Sequence, residues 1–254
     1  MVEAGLLVKP PTRRAVEEAL EIVRRLRPQA LLLNLPESIE DSINSLGRGE
    51  IDYDEFLYRA YELFPEPKST WLKELEILLG ELPSIGGMID VYCYLDDESF
   101  REIANTSIEI ALLTLREAIR EKINVEDWVK VLERSGKEES ERWNREINKI
   151  IKIAGGYERI LCVTGFEARY IKKRLIESGI NTWIRYLSQP YHFTPIEMMK
   201  RLITIGKIDE EILKKLVREH VRFLREYVYK MPYIDAVENW VKMKLYWLPS
   251  GRMA

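Results

Sequence analysis

Residues 159–175 have the sequence RILCVTGFEARYIKKRL, and the predicted fold is organised around them. An apolar run, residues 160–163, stops at Thr164-Gly165, and a helical pattern of apolar residues follows. A strand, a tight glycine turn and a helix form the unit from which open α/β sheets build their ligand crevices. The start of the helix could also hold an anion weakly. We therefore expect a site at this turn, with these candidate ligand-binding residues: Thr164, Gly165, Glu167 and Arg169.

The composition is typical of a globular protein, with 46% hydrophobic and 32% charged residues. A chain of 254 residues is long enough to bury a full core, and we expect a single α/β domain over residues 1–254. The 39 Lys and Arg residues nearly balance the 42 Asp and Glu residues, so nucleic acid is not an expected partner. Many Glu, Lys and Arg residues and only two glutamines favour a thermophilic source.

The chain lacks the sequence patterns of membrane insertion and of secretion. No uninterrupted apolar stretch approaches the roughly 18 residues of a membrane span, and we expect no signal peptide. Cys93 and Cys162 both lie in apolar runs typical of strands, which favours buried, inert thiols over a disulfide or a metal pair. We expect a cytoplasmic protein with no membrane partner.

Further apolar runs predict four more strands, at residues 5–8, 30–33, 89–95 and 181–187. The first two flank an amphipathic helix, which predicts a βαβ unit with parallel strands. The predicted fold class is α/β, with a mostly parallel central sheet of about five strands flanked by many helices.

The segment between strands three and four contains more helical patterns than a simple crossover needs. We therefore predict a helical insert or lid over residues 97–156. Its predicted elements are a long helix capped by Asp97, a helix over residues 125–132 and another over residues 137–154. The aromatic tail, residues 233–254, is expected to dock on the body or to remain partly flexible.

Polar residues follow the predicted strands at the point where each strand ends. Because the carboxyl ends of parallel strands meet at one edge of a sheet, these residues are the candidate site. The ligand-binding candidates outside the glycine turn are Lys9 and Asn34, the catalytic candidates are Glu37, Glu167 and His192, and the metal-ligand candidates are Asp96 and Glu167. No cofactor is certain, and a divalent metal held by carboxylates stays an open option.

Common catalytic and phosphate-binding motifs are absent from the sequence. There is no Gly-x-x-x-x-Gly-Lys-Ser/Thr, no Gly-x-Gly-x-x-Gly after a strand and no Gly-x-Ser-x-Gly. The only histidines are His192 and His220, which argues against a zinc site of clustered His and Cys. Whether the protein is an enzyme is left open by these observations.

Two parts of the chain resemble the TraB/TIKI superfamily, which includes erythromycin-esterase-like proteins. Residues 5–36 contain a short strand, an amphipathic helix, Leu26-Arg27-Pro28-Gln29-Ala30 and an apolar strand. Glu141-Arg142 followed by Ile147, and then residues 160–165, are similar to that family's later helix and strand. The resemblance implies the family's α/β fold and a metal-assisted hydrolytic site.

The chain departs from the family at two site positions. The family has an acidic residue where the second strand ends, and this chain has Asn34 there. The family has a histidine three residues after the glycine, and this chain has Ala168. Glu167 and Arg169 flank that position but cannot supply a neutral imidazole. The resemblance therefore implies a hydrolase-like fold with a degenerate site.

Three hypotheses for the function follow. The first is a degenerate hydrolase-like protein that binds a small ligand or a protein partner in the crevice above strands one, two and four, with homo-oligomers left open. The second is a divalent-metal-dependent hydrolase that uses Glu37, Asp96, Glu167 and His192. The third and weakest is a nucleic-acid-associated accessory protein that uses the helix arginines Arg13, Arg14, Arg24 and Arg25.

Overall fold

The computed structural model describes residues 2–63, 72, 74–85, 89–120, 123–189 and 191–243. The chain divides into two compact units. The sheet unit comprises Met1–Ala104 and Ser140–Gln189, and the helical unit comprises Asn105–Glu139 and Pro190–Ala254.

Within the described residues, five strands form one all-parallel sheet, which confirms the predicted α/β class. The strands are β1 (Glu3–Val8), β2 (Ala30–Pro36), β3 (Asp90–Leu95), β4 (Arg159–Thr164) and β5 (Asn181–Tyr186). Their order in the sheet is β3-β2-β4-β1-β5. The strand of the opening stretch, β4, is therefore the middle strand, and it pairs with β1 on one side and β2 on the other.

The helices are assigned to the two units as follows. The sheet unit contains α1 (Arg13–Leu26), α2 (Glu40–Gly47), α3 (Tyr53–Leu63), α4 (Glu76–Gly80), α5 (Leu82–Ile85) and α8 (Ala168–Glu177). Two long helices, α6 (Asp97–Arg120) and α7 (Val125–Ala154), contribute residues to both units. The helical unit contains α9 (Pro195–Thr204), α10 (Glu210–Phe223) and α11 (Tyr233–Met243). A 3-10 turn, Glu37–Ile39, precedes α2, and a π-helical turn, Leu224–Val228, follows α10. None of the described helices has the length and apolarity needed to cross a membrane.

Two details of the predicted insert are wrong. Helix α7 is continuous from Val125 to Ala154 and is not divided at residues 133–136. A single helical glycine costs only about 1 kcal/mol relative to alanine, and the apolar contacts of a long helix outweigh that cost. The residue that caps α6 is Asp96 and not Asp97, because the Asp96 carboxylate accepts a hydrogen bond of 2.7 Å from the Ser99 backbone N–H.

The sheet is buried on both faces, which explains why its strands are continuous apolar runs. On one face, Leu7 and Leu161 pack in a core with α1 to α4. On the other face, Leu6 and Cys162 pack in a core with α7 and α8. Both Cys162 and Cys93 are free and buried, as predicted, and burial raises the pKa of each thiol.

The helices leave neighbouring strands toward opposite faces of the sheet. Strands β1 and β2 lead into the helices of the first face, whereas β3 and β4 lead into α7 and α8 on the second. Because β2, β4 and β1 are neighbours in that order, the chain diverges above both gaps between them. A divergence of this kind opens a crevice at the carboxyl ends of the strands.

The helical unit has its own aromatic and aliphatic core. Trp240 of α11 is fully buried and packs edge-on against Phe223, with ring centroids 5.1 Å apart. At the start of α9, Thr194 and Glu197 form a capping box. Of the predicted tail, residues 233–243 form α11, and residues 244–254 lie outside the described part of the chain.

Gly5 provides a test of packing within the sheet. A Cβ at Gly5 would lie 2.3 Å from Trp183 Cζ2 and 2.6 Å from Leu161 Cδ2, so neither neighbouring strand leaves room for it. We expect Gly5→Ala to lower the free energy of unfolding by about 1–3 kcal/mol, measured by urea denaturation.

Gly80→Ala in the same unit is the matched control for this substitution. A Cβ at Gly80 meets no atom within 4 Å, so we expect no loss and a gain of up to about 1 kcal/mol. Equal stability of the Gly5→Ala variant and the unmodified protein would contradict the packing around β1.

Candidate functional site

The turn after β4 is stabilised by hydrogen bonds to an acidic residue of the turn itself, Glu167. The Glu167 carboxylate accepts hydrogen bonds from Thr164 Oγ1 at 2.6 Å and from the Gly165 backbone N–H at 2.8 Å. A Cβ on Gly165 would lie 2.5 Å from Glu167 Oε2, so a larger residue here would displace the end of the Glu167 side chain. The anion position that the sequence suggested at this turn is therefore occupied by a side chain of the protein itself.

Glu146 on α7 is a buried acid beside this turn. Only 3% of the residue is exposed, and burial raises its pKa to about 7. Arg142, whose Nε lies 3.2 Å from Oε1, lowers the pKa in part, whereas the charges of Glu167 and Asp96 raise it. The arginine is close enough for an ion pair, but Oε1 accepts no hydrogen bond of good geometry from the described residues. Glu146 is thus a group that gains or loses a proton near neutral pH.

Asp96 lies where β3 ends and is held in a polar cluster. Its carboxylate accepts hydrogen bonds from Ser99 N at 2.7 Å and Ser99 Oγ at 2.6 Å, and from Arg145 Nε at 3.3 Å. Partial burial disfavours the charge on Asp96, but the hydrogen bonds from Ser99 and Arg145 outweigh it and lower the pKa. Asp96 therefore carries its negative charge next to the guanidinium of Arg145.

Glu37, at the end of β2, is paired with a lysine of α7. Lys149 Nζ lies 2.5 Å from Glu37 Oε1 and also donates a hydrogen bond of 2.6 Å to the Cys93 carbonyl oxygen. The strands β2 and β3 are thereby joined to α7 through one ammonium group. Ion pairs or electrostatic interactions link these charged residues, and we refer to them as the strand-end network: Glu37, Asp96, Arg142, Arg145, Glu146, Lys149 and Glu167.

Four members of the strand-end network were not predicted from the sequence. They lie on one face of α7, at helical spacings of three, one and three residues: Arg142, Arg145, Glu146 and Lys149. The available signal was the combination of this polar face with the adjacent apolar face of Ile147 and Ile150, which packs on the sheet. From that pattern, the polar face of α7 could have been predicted to lie near the strand ends. The burial of Glu146 could not have been predicted from it.

A groove adjoins the strand-end network. It has a volume of about 840 Å³ and runs between α7 and the segment that follows β2. Among its lining residues are Glu37, Glu40, Tyr92, Lys149, Lys152 and Tyr157. The hydroxyl groups of Tyr92 and Tyr157 lie 2.6 Å apart, and Tyr157 donates a hydrogen bond of 2.7 Å to Asp90. Glu37 and Lys149 belong both to the groove and to the network.

Three predicted ligand-binding residues have other partners or lie in solvent. Lys9 forms an ion pair of 3.4 Å with Glu74, and Arg169 Nε donates a hydrogen bond of 3.0 Å to the Tyr186 hydroxyl. Asn34 is exposed on β2. Within the described ranges, no hydrogen bond or ion pair joins these three residues to the strand-end network.

His192 does not belong to the sheet unit that contains the other candidates. It lies in the helical unit, in the loop before α9, where partial burial lowers its pKa. The other histidine, His220, is also in the helical unit, is 5% exposed, and has its pKa lowered to about 4 by burial. Its ring lies edge-on to Trp128, with centroids 6.1 Å apart.

The predicted metal ligands Asp96 and Glu167 and the catalytic candidate Glu37 all interact with donors of the protein itself. Glu37 faces Lys149, Asp96 faces Ser99 and Arg145, and Glu167 accepts hydrogen bonds from its own turn. In the part of the chain that the structure describes, no group of three or more His, Cys, Asp or Glu side chains is arranged to hold a metal ion. The described geometry therefore offers no support for a divalent-metal centre.

The chain has no significant match to a protein-family model, to a curated protein or to a solved structure. The resemblance to the TraB/TIKI superfamily therefore stays a prediction from the sequence.

Glu146 makes the stability of the protein depend on pH. Below about pH 4.5 the carboxyl is protonated in the folded and the unfolded chain, so it has no pH-dependent effect. Between that pH and about 7 only the unfolded chain ionises, so the free energy of unfolding falls as the pH rises. We expect Glu146→Gln to remove this loss and to gain about 3 kcal/mol relative to the unmodified protein between pH 5 and pH 8.

Urea denaturation of both proteins at several pH values checks this expectation. Profiles that stay parallel from pH 5 to pH 8 would show that Glu146 is already ionised in the folded protein. A direct NMR titration of the Glu146 side-chain carboxyl should give a midpoint near 7.

Proposed function

We propose that the protein binds a small polar molecule in the groove beside β3, in contact with the strand-end network. The observation that carries the proposal is the sharing of Glu37 and Lys149 between the groove and the network. The groove volume of about 840 Å³ falls in the range of roughly 300–1,000 Å³ that is typical of small-molecule sites. A cluster of buried and partly buried charges next to such a groove is also typical of a functional site.

The charge balance favours a neutral or zwitterionic ligand. The charged side chains that line the groove are two acids, Glu37 and Glu40, and two lysines, Lys149 and Lys152, and Lys149 pairs with Glu37. A polyanion would therefore meet no excess of positive over negative side chains in the groove. A molecule with a donor and an acceptor, or with one charge of each sign, could instead align with the existing pairs.

The same pairing gives little support to the nucleic-acid hypothesis. Arg14 of α1 pairs with Glu18 at 2.9 Å, and Arg24 pairs with Glu81. Phosphate binding by these arginines would have to displace carboxylates, and each displacement reduces the gain from counterion release.

The groups in the network support binding more than hydrolysis. The hydroxyl groups of Ser99 and Thr164 each donate a hydrogen bond of 2.6 Å to an acid, but both residues are buried. Glu167 is committed to holding the turn after β4. A nucleophile must reach an external substrate, and neither arrangement provides one.

A ligand screen with paired variants tests the proposal. Amino acids, nucleosides and small sugars are screened by thermal shift, and binding is measured by calorimetry. We expect Lys149→Ala to weaken the binding of any ligand found at least tenfold, because the substitution removes a group shared by the groove and the network. Arg159→Ala is the control, because Arg159 lies beside Glu3 at the amino-terminal end of β4 and does not line the groove.

Two outcomes would contradict the proposal. One is equal affinity of the unmodified protein and the Lys149→Ala variant for every ligand found. The other is hydrolysis of ester, peptide or phosphodiester probes by metal-supplemented protein, with loss of turnover in Glu167→Ala, which would establish the metal-dependent hydrolase instead.

A further inference from the structure

A row of exposed apolar side chains runs along α6 in the helical unit. The exposed fractions are 45% for Ile108, 61% for Leu112, 52% for Leu115 and 72% for Ile119. The spacings of four, three and four residues place them on one face of the helix, over about 16 Å. We refer to these four residues as the α6 stripe.

The helix does not need the α6 stripe for its own packing. Leu113 is buried and Ile110 is partly buried in the core of the helical unit, so the opposite side of α6 already faces that core. Ala111 and Ala118, which flank the stripe, are exposed as well. An exposed row of large aliphatic residues with no charge among them is typical of an interaction surface.

The α6 stripe is complementary to itself in an antiparallel arrangement. A two-fold axis midway between Leu112 and Leu115 brings Ile108 of one copy beside Ile119 of the other. The same axis brings Leu112 beside Leu115 of the second copy, twice by symmetry. Every apolar contact is therefore isoleucine with isoleucine or leucine with leucine. The alternating spacings of four and three residues are those that two packed helices require.

The flanking residues also match in this arrangement. On one side of the stripe, Glu109 faces Arg116 of the second copy, and the symmetry repeats this pair of opposite charges. On the other side, Ala111 faces Ala118, and these small side chains let the helices approach closely. Within one chain, Glu109 pairs with Arg134 and Arg116 pairs with Asp127, so both charges are already held at the edge of the stripe. A parallel pair would place Glu109 opposite an alanine and lose this match.

We infer that the α6 stripe is the contact between two copies of this chain, packed antiparallel about a two-fold axis. The molecule that covers the α6 stripe is a second copy of the chain, because the same surface supplies the apolar row and both the acidic and the basic residue that flank it. Four aliphatic side chains from each copy bury on the order of 800–1,000 Å², below the roughly 1,200–2,000 Å² of a standard stable interface. The dimer is therefore weak and forms as the protein concentration rises.

Sedimentation equilibrium over a wide range of protein concentrations tests the association. We expect a reversible monomer–dimer equilibrium, and at least tenfold weaker association for Leu115→Glu, because two buried carboxylates would then face the partner's leucines. Ile176→Glu is the control: Ile176 is 51% exposed, close to the 52% of Leu115, but lies on α8. The control should associate as strongly as the unmodified protein.

Cysteine cross-linking tests the antiparallel arrangement. An equimolar mixture of Ile108→Cys and Ile119→Cys proteins should form a disulfide-linked dimer under mild oxidation, whereas either variant alone should not. The native Cys93 and Cys162 are buried and their thiol pKa values are raised, so they do not compete. Circular dichroism of each variant confirms that it is folded.

Several results would overturn the inference. A monomer at all concentrations, or a dimer that Leu115→Glu leaves intact, would exclude the α6 stripe as the contact. Efficient self-cross-linking of Ile108→Cys would exclude the antiparallel packing. Association that appears only when residues 244–254 are removed would identify that segment of the same chain as the occupant of the stripe.

Discussion

The pairing of β4 with both β1 and β2 is the constraint on which the sheet unit depends. Ile160 is in register with Ala4 on one side and with Ala30 on the other, so the strand has no free edge. The same pairing commits Leu161 to one core and Cys162 to the other. A slip of one residue would exchange these faces and expose the wrong side chains to each helical layer, so the register is strongly specified.

The position of β4 also creates the polar site. Because its neighbours send their helices to the opposite face, the turn at Thr164-Gly165 opens beside a gap and not beneath a helix. The polar face of α7 lies at that gap and brings charged groups into a partly buried environment. Burying charges costs free energy unless they are paired, and the ion pairs of Asp96 and Glu37 meet that requirement. Glu146 differs from both, because burial raises its pKa to about 7 and so favours the protonated carboxyl.

The parts of the fold that depend on local sequence were predictable, and the parts that depend on packing were not. The strand and turn at residues 159–165 follow from a short apolar run and a glycine. The insertion of β4 between β1 and β2 could not be derived, because strand order is set by which helical layers fit together. The same holds for the unbroken α7, whose contacts outweigh a local helix-weakening residue, Gly136.

In the candidate site, the features that depend on packing were also the ones that the sequence did not predict. Glu167 was selected because it follows a strand, but its carboxylate fastens the turn, since Gly165 leaves space for it. Asp96 was selected for the same reason; it caps α6 through the nearby Ser99, whereas its arginine partner lies about fifty positions away in the sequence. Glu146 was not selected at all, because nothing in its sequence neighbourhood distinguishes it from the exposed Glu141 on the same helix. Its distinguishing property is burial, which exists only in the folded chain.

A protonated Glu146 imposes a condition on any ligand that reaches the strand-end network. A ligand that donates hydrogen bonds or places a positive charge near Glu146 favours the carboxylate, lowers its pKa and releases a proton on binding. A ligand that accepts a hydrogen bond from the protonated carboxyl raises the pKa and takes up a proton. By linkage, affinity for the first kind rises as the pH passes through about 7, and affinity for the second kind falls. The sign of that dependence therefore distinguishes the two kinds of ligand at Glu146.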